Sequence, residues 1–257
     1  MEEKKKVIWT GVAFVLVLAA VIAIYYLATH KKAPEVQETP EIVKEKPLEL
    51  PDKETVTEES VEPFDITLKE SDEFLRNLIK DLSSDPRITE WMRSDQLIKK
   101  FVAAVDNIAN GLSPRKQIDF FEPKADFMTV KKGEHLIIDT DSYKRYDPIA
   151  QVFDSIDIEK TVKLYQSSKP LIQEAYRELG YPDKDFDRTL NRAINELLNV
   201  PIVEQDIFLI SKLKSFEMKD PGLEEMSPAQ KHLFRMGPEN IDIIQRKLRE
   251  FQKEWGS

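Results

Sequence analysis

The densest group of side chains able to recognise another molecule is Tyr143, Arg145, Tyr146 and Asp147, which puts aromatic, cationic and anionic groups within five residues. Such a set can hold a sugar, a peptide carboxylate or a protein surface. The competing reading is structural. A buried tyrosine hydroxyl or arginine often satisfies neighbouring backbone groups, and Asp147 ahead of Pro148 has the type and place of a helix cap. Lys231, His232 and Arg235 form a second group, with 231 and 235 one helical turn apart. Together they can receive an anion, although cations in a last helical turn are also what the helix dipole favours.

Weaker candidates have ordinary explanations beside them. Asp106 and Asn107 interrupt an apolar helical stretch, where they would face solvent, bond neighbouring backbone or organise a buried contact before serving as a catalytic carboxylate. Glu174 and Glu178 stand one turn apart, but Arg177 beside them gives surface charge pairing. Asp139-Thr140-Asp141 resembles the opening of a calcium loop without its later glycine and terminal glutamate, so a turn is expected instead.

Several chemistries can be set aside. Seven glycines, all far apart, allow neither a phosphate-cradling loop nor a dinucleotide fingerprint. None of the three histidines begins an H-E-x-x-H helix, and G-x-S-x-G is absent. Without cysteine there is no disulfide scaffold and no thiolate metal site. No cofactor and no metal are expected. Nucleic acid is not an expected partner either, since Thr67–Ser257 holds thirty Lys and Arg against thirty-four Asp and Glu and no basic tract alternates with aromatics.

The elements that must position these groups read mainly as helices. Ser71 heads a stretch with Phe74, Leu75, Leu78, Ile79 and Leu82 at helical spacing, followed by a short turn of helix at Ile88, Trp91 and Met92. Leu97, Ile98, Phe101, Val102, Val105, Ile108 and Ala109 line one face of a longer helix from about Ser94 to Asn110, which Gly111 ends. Residues 127–138 alternate around Lys132-Gly133 as a β-hairpin. Helices resume at Asp147-Pro148 and after Asp157, the second broken or kinked at Lys169-Pro170 and stopped at Gly180. Another carries Phe186, Leu190, Ile194, Leu197 and Leu198, and Ile202–Met218 is a second strand region. Ser227-Pro228-Ala229-Gln230 is a capping box, Gly237 ends that helix, and Pro238 opens a last one whose stripe Ile241, Ile244, Leu248, Phe251 and Trp255 should pack onto the domain.

The chain ahead of this body differs in kind. Val7 to Leu27 is a run of twenty-one residues without a formal charge, twelve of them Leu, Ile, Val or Phe, flanked by lysines. At ~1.5 Å per residue it is about 32 Å long, enough to span a bilayer core. A cleaved secretory signal is the alternative, but its apolar core would be shorter, roughly 7 to 15 residues. Lys4–Lys6 against Lys31 and Lys32 favours a cytoplasmic N-terminus and an extracytoplasmic body. Ala33–Ile66 holds five prolines and eleven acidic residues against three lysines, the composition of a disordered tether. Its charge accounts for most of the net −9 of the whole chain. The expected organisation is a cytoplasmic tip and anchor over 1–32, a linker over 33–66 and one mainly α (α+β) domain over 67–257, bound to the lipid bilayer through Val7–Leu27.

The phrases FVAAVDNIANG from Phe101, SYKRYDPIA from Ser142, KPLIQEAYRELGYP from Lys169 and SPAQKHLFRMGPEN from Ser227 occur in this order. They resemble those of bacterial single-pass proteins sharing the domain of unknown function 3014. The resemblance implies a bacterial envelope protein with an N-terminal anchor and assigns no role to any residue. The expected function is a tethered, periplasmic or otherwise extracytoplasmic module that binds an envelope protein or cell-wall component without chemistry of its own. The alternative is a hydrolase working through carboxylates or His232.

Overall fold

A computed structural model describes residues 63–118, 122–123 and 125–256. The expected anchor at Val7–Leu27 and nearly all of the expected linker lie outside the described residues. Within them, no helix is long and apolar enough to cross a membrane. The described body is α+β. In order it comprises α1 (Ser71–Ile79), α2 (Arg87–Trp91), α3 (Leu97–Ala109), β1 (Thr129–Lys132), β2 (His135–Ile138), α4 (Asp141–Lys144), α5 (Asp147–Asp154), α6 (Ile158–Glu178) and α7 (Phe186–Leu198). It continues through β3 (Phe208–Ser211), β4 (Phe216–Met218), α8 (Pro221–Glu224), α9 (Pro228–Phe234) and α10 (Pro238–Trp255).

Two apolar clusters hold it together. The first joins α1, α3, α6 and α7 through Leu75, Val102, Tyr176, Phe186 and Ile194, all nearly inaccessible to solvent. Tyr176 hydroxyl and Thr189 Oγ1 meet there at 2.9 Å, so the polar atoms that come inside with these residues are paired. Phe64 and Ile66, just ahead of α1, pack against the same cluster, and the Phe64 amide donates to the Ser167 carbonyl at 3.1 Å. The second cluster sits under the sheet and gathers Ile138, Tyr146, Met218, Phe234 and Ile241.

The sheet is a four-stranded antiparallel meander in the order β1-β2-β3-β4. The expected hairpin is β1–β2, with Lys132 opposite His135 and Gly133 at φ 63° in the turn. The second strand region, Ile202–Met218, resolves into another hairpin, and Leu136 opposite Leu209 joins the two. Register keeps Leu136, Ile138, Leu209 and Met218 on the face over the second cluster.

α10 ties the clusters to each other. Leu248 packs against both, and the last helix's expected stripe is turned inward, Ile241 and Ile244 fully and Phe251 and Trp255 in part. Gln245 is buried on this helix, and its amide donates to the carbonyls of Leu197, Leu198 and Val200 at 3.0, 3.3 and 2.8 Å. Those carbonyls lie in the last turn of α7 and just past it, where Leu197 also accepts from the Val200 amide at 3.2 Å, so a side chain forty-five to forty-eight residues away secures the end of that helix.

Three local expectations are corrected. Ser71 is not a cap: it is the first residue of α1, its hydroxyl donates back to the Leu68 carbonyl at 2.8 Å, and Glu70 stands at the cap position. Asp147 does not cap α5, whose cap position is Tyr146 with no side-chain bond. The break at Lys169-Pro170 does not occur, and α6 runs unbroken through Pro170. Pro170 and Gln166, whose carbonyl it leaves without a backbone donor, are both exposed residues, while Ser167, Ser168, Leu171 and Ile172 hold the helix from within.

Candidate ligand-binding clefts

The segment Tyr143–Asp147 runs from the end of α4 across a two-residue join into α5, and its side chains divide between two clefts. Tyr143, Lys144 and Asp147 line a cleft of about 810 Å³ together with residues 202–207 and the start of α10. Arg145 and Tyr146 line another of about 640 Å³, with His232 and Arg235 from α9 and its C-cap. Thus four of the seven candidate residues, far apart in sequence, come to one site. Tyr143 and Asp147 do not join them, and neither does Lys231.

The first cleft is acidic. Asp141, Asp147, Glu204, Asp206, Glu239 and Asp242 line it against the single ammonium of Lys144, which Asp141 holds at 2.6 Å. Its wall is fixed by Asn240, whose buried amide donates to the Tyr143 carbonyl (3.3 Å), Asp147 Oδ1 (3.1 Å) and the Met236 carbonyl (2.8 Å). The Tyr143 ring lies against Gly237, where a Cβ would fall 2.4 Å from Cγ of the ring. Burial raises the Tyr143 phenol above its ordinary value and keeps it protonated.

The second cleft is basic. Arg145 lies with Cζ 4.9 Å from the Tyr146 ring centroid and 5.4 Å from that of Phe127, and Nη1 donates to the Ala125 carbonyl at 3.3 Å. Its Nε is buried without a partner among the described residues. Arg235 and Lys214 are exposed and make no side-chain hydrogen bond or ion pair among the described residues. Arg115 also lines the cleft, paired with Glu122. Glu224 is answered by Lys231 at 2.6 Å and by the Met218 amide at 2.8 Å, which hold its carboxyl below the usual range. That pairing accounts for Lys231 as a positioning cation. Asp126 is the remaining carboxylate of the wall.

His232 has its imidazole held below the ordinary value, first by burial and then by Arg235 and Arg115. It is neutral at pH 7. No hydroxyl or carboxylate hydrogen-bonds it among the described residues, and Asp147 lines the other cleft. α9 is aimed by its cap: Ser227 Oγ accepts from the Gln230 amide at 3.1 Å while Gln230 Oε1 accepts from the Ser227 amide at 3.1 Å. The same hydroxyl donates to Glu196 on α7 at 2.5 Å, and the Ala229 amide donates to the Gly111 carbonyl at 3.1 Å, which seats the helix against α7 and the end of α3.

The weaker candidates resolve as structural contacts. Asp106 accepts from the Tyr181 hydroxyl at 3.3 Å and from the Asn110 amide group, and Asn107 donates to Gln117 at 2.9 Å. Glu178 pairs with Lys99 at 2.6 Å. Asp139 accepts from the Asp141 amide at 3.0 Å, forming the turn expected there. Among the described residues no cluster of three or more His, Asp or Glu has the arrangement to hold a metal ion. Sequence reading missed Arg115 and Lys214, lone cations on loops about one hundred residues apart that carry no local pattern.

No curated protein and no solved structure matches this chain. A family model described as "Protein of unknown function (DUF3014)" matches residues 97–252, from the first residue of α3 into the last turns of α10 and across both clefts. With well over half its length inside that match, the chain belongs to the DUF3014 family.

Proposed function

We propose that this chain is a single-pass bacterial envelope protein whose folded domain binds a carboxylate-bearing peptide, from a partner protein or the cell wall, in the basic cleft. The observation that carries the reading is the meeting of Arg145 and Tyr146 with His232 and Arg235. Arg145 offers a buried Nε with no partner among the described residues beside two aromatic rings, and Arg235 and Lys214 offer cations that make no ion pair among the described residues. Planar guanidinium groups bind carboxylates by paired hydrogen bonds, and rings flanking them supply apolar contact with an adjoining side chain. Binding without chemistry fits this site better than hydrolysis. Among the described residues no hydroxyl or carboxylate hydrogen-bonds His232, and Asp147 lines the other cleft.

The anchored setting rests on the Val7–Leu27 run and its lysine flanks. Full-length chain in lipid nanodiscs, titrated with cell-wall peptides carrying free or amidated carboxylates, tests the binding reading. Free carboxylates should bind, amidated ones should not, and affinity should fall with salt. Turnover of the fragments, lost on His232→Gln, would replace this reading with the hydrolase. Protease added to spheroplasts tests the setting separately, and a protected C-terminal body would refute it.

A further inference from the structure

α1, α3 and α6 leave an opening of about 390 Å³ that is almost entirely apolar and shares Ile118 with the basic cleft. Leu75, Ile79, Phe101, Ala104, Leu164 and Ile172 are among its walls. It falls within the size range of small-molecule sites, roughly 300 to 1,000 Å³. Six polar residues punctuate it, of which Gln117, Thr161 and Tyr165 are bonded to Asn107, the Asp157 carbonyl and Asp187. Ser168 is only 4% exposed and its Oγ has no partner among the described residues; Ser94 Oγ is likewise buried and without a partner among them. Buried hydroxyls in that condition are uncommon, because each has lost water without replacement. Lys100, partly exposed, also lines the opening and makes no side-chain hydrogen bond or ion pair among the described residues. Water is a poor occupant for such walls, since a held water needs two to four polar partners.

We infer that this opening is a binding site for a long-chain fatty acid, its acyl chain against the α1–α3–α6 walls and its carboxylate taken by Ser94, Ser168 and Lys100. The chemistry of the ligand follows from the lining. A chain of methylenes removes apolar surface from water on both partners, a carboxylate has the acceptor oxygens that two serine hydroxyls lack, and its charge matches the unpaired ammonium. The inference stands apart from the proposed function: it uses none of the charged or aromatic residues of the basic cleft and does not require the anchor.

The test is photolabelling of full-length chain in nanodiscs with a diazirine-bearing palmitate, followed by mapping of the labelled peptides. The expected result is saturable labelling of Ser71–Ile79, Leu97–Ala109 and Ile158–Glu178, displaced by unlabelled palmitate and at least tenfold less well by hexadecanol, which lacks the charge. Ala104→Trp should reduce labelling about tenfold or more by filling the opening. Should its circular dichroism show that it does not fold, Lys100→Glu takes its place and should reduce labelling several-fold, with Lys100→Arg restoring it. Labelling that never saturates, that is confined to Val7–Leu27 through partition into the bilayer, or that both Ala104→Trp and Lys100→Glu leave unchanged would overturn the inference. If the chain is recovered free of membrane yet still labels at these helices, the anchored setting fails and this site stands.

Discussion

The two polar clefts share the wall built from residues 138–147 yet carry opposite charge, acidic around Tyr143 and Asp147 and basic around Arg145 and Tyr146. Five consecutive residues that look like one recognition motif are therefore divided between two clefts of opposite charge. The join between two helices does this: Tyr143 and Lys144 end α4 and Asp147 begins α5 on the acidic side, while Arg145 and Tyr146, the two residues of the join, line the basic side. The lesson is that density of functional types along a chain marks a corner between two helices as readily as it marks a single site.

The largest expected effect strikes the acidic side. Gly237→Ala would drive a methyl into the Tyr143 ring and hold an alanine at φ 85°, so it should cost about 2 to 4 kcal/mol in urea unfolding. Asn240→Ala removes the donor shared by Tyr143, Asp147 and Met236 and should cost about 1 to 3 kcal/mol by the same measurement. If the clefts act separately, that variant keeps most of its affinity for a free-carboxylate peptide at temperatures where it is folded. Arg145→Ala should do the reverse, weakening peptide binding about tenfold by calorimetry, a loss of about 1.4 kcal/mol, whereas Asp147→Ala should change it less than about twofold. Equal losses from Arg145→Ala and Asp147→Ala would merge the clefts into one site.

The smallest effect is a pH dependence. His232 is lowered in the folded state, so below about pH 6.5 the unfolded chain binds the proton that the folded chain resists. The stability this residue contributes is present above that pH and is lost as the pH falls toward the folded value. His232→Gln should flatten unfolding free energy measured between about pH 7 and 5, and a steeper slope in the variant would contradict the assignment.

What the sequence revealed was governed by range. Ser227 with Gln230, Asp157 with the Lys160 amide and Gly237 ahead of Pro238 act over a few residues, and each stands where its spacing placed it. The failures are long-range substitutions for local chemistry. Ser71 is not needed as a cap, whereas its neighbour Asp72 reaches across to accept from the Gln96 and Leu97 amides at 2.6 and 2.9 Å, starting α3 in place of the usual adjacent cap. Asp147 is taken by Asn240, ninety-three positions later. The pairing of the two hairpins depends on which apolar faces meet under the sheet, and no turn signal encodes that meeting. For the candidate site, both clusters were visible as residue types, but their division and regrouping required the packing of α5 against α10.

Gln245 gives the molecule an order of assembly. The end of α7 and the bridge between the two apolar clusters both wait for a side chain within the eighteen residues of α10. A nascent chain that stops short of this helix has neither half complete. Ribosome-stalled or truncated products lacking α10 should therefore be easy prey for proteases, and quality control could discard them without consulting any ligand.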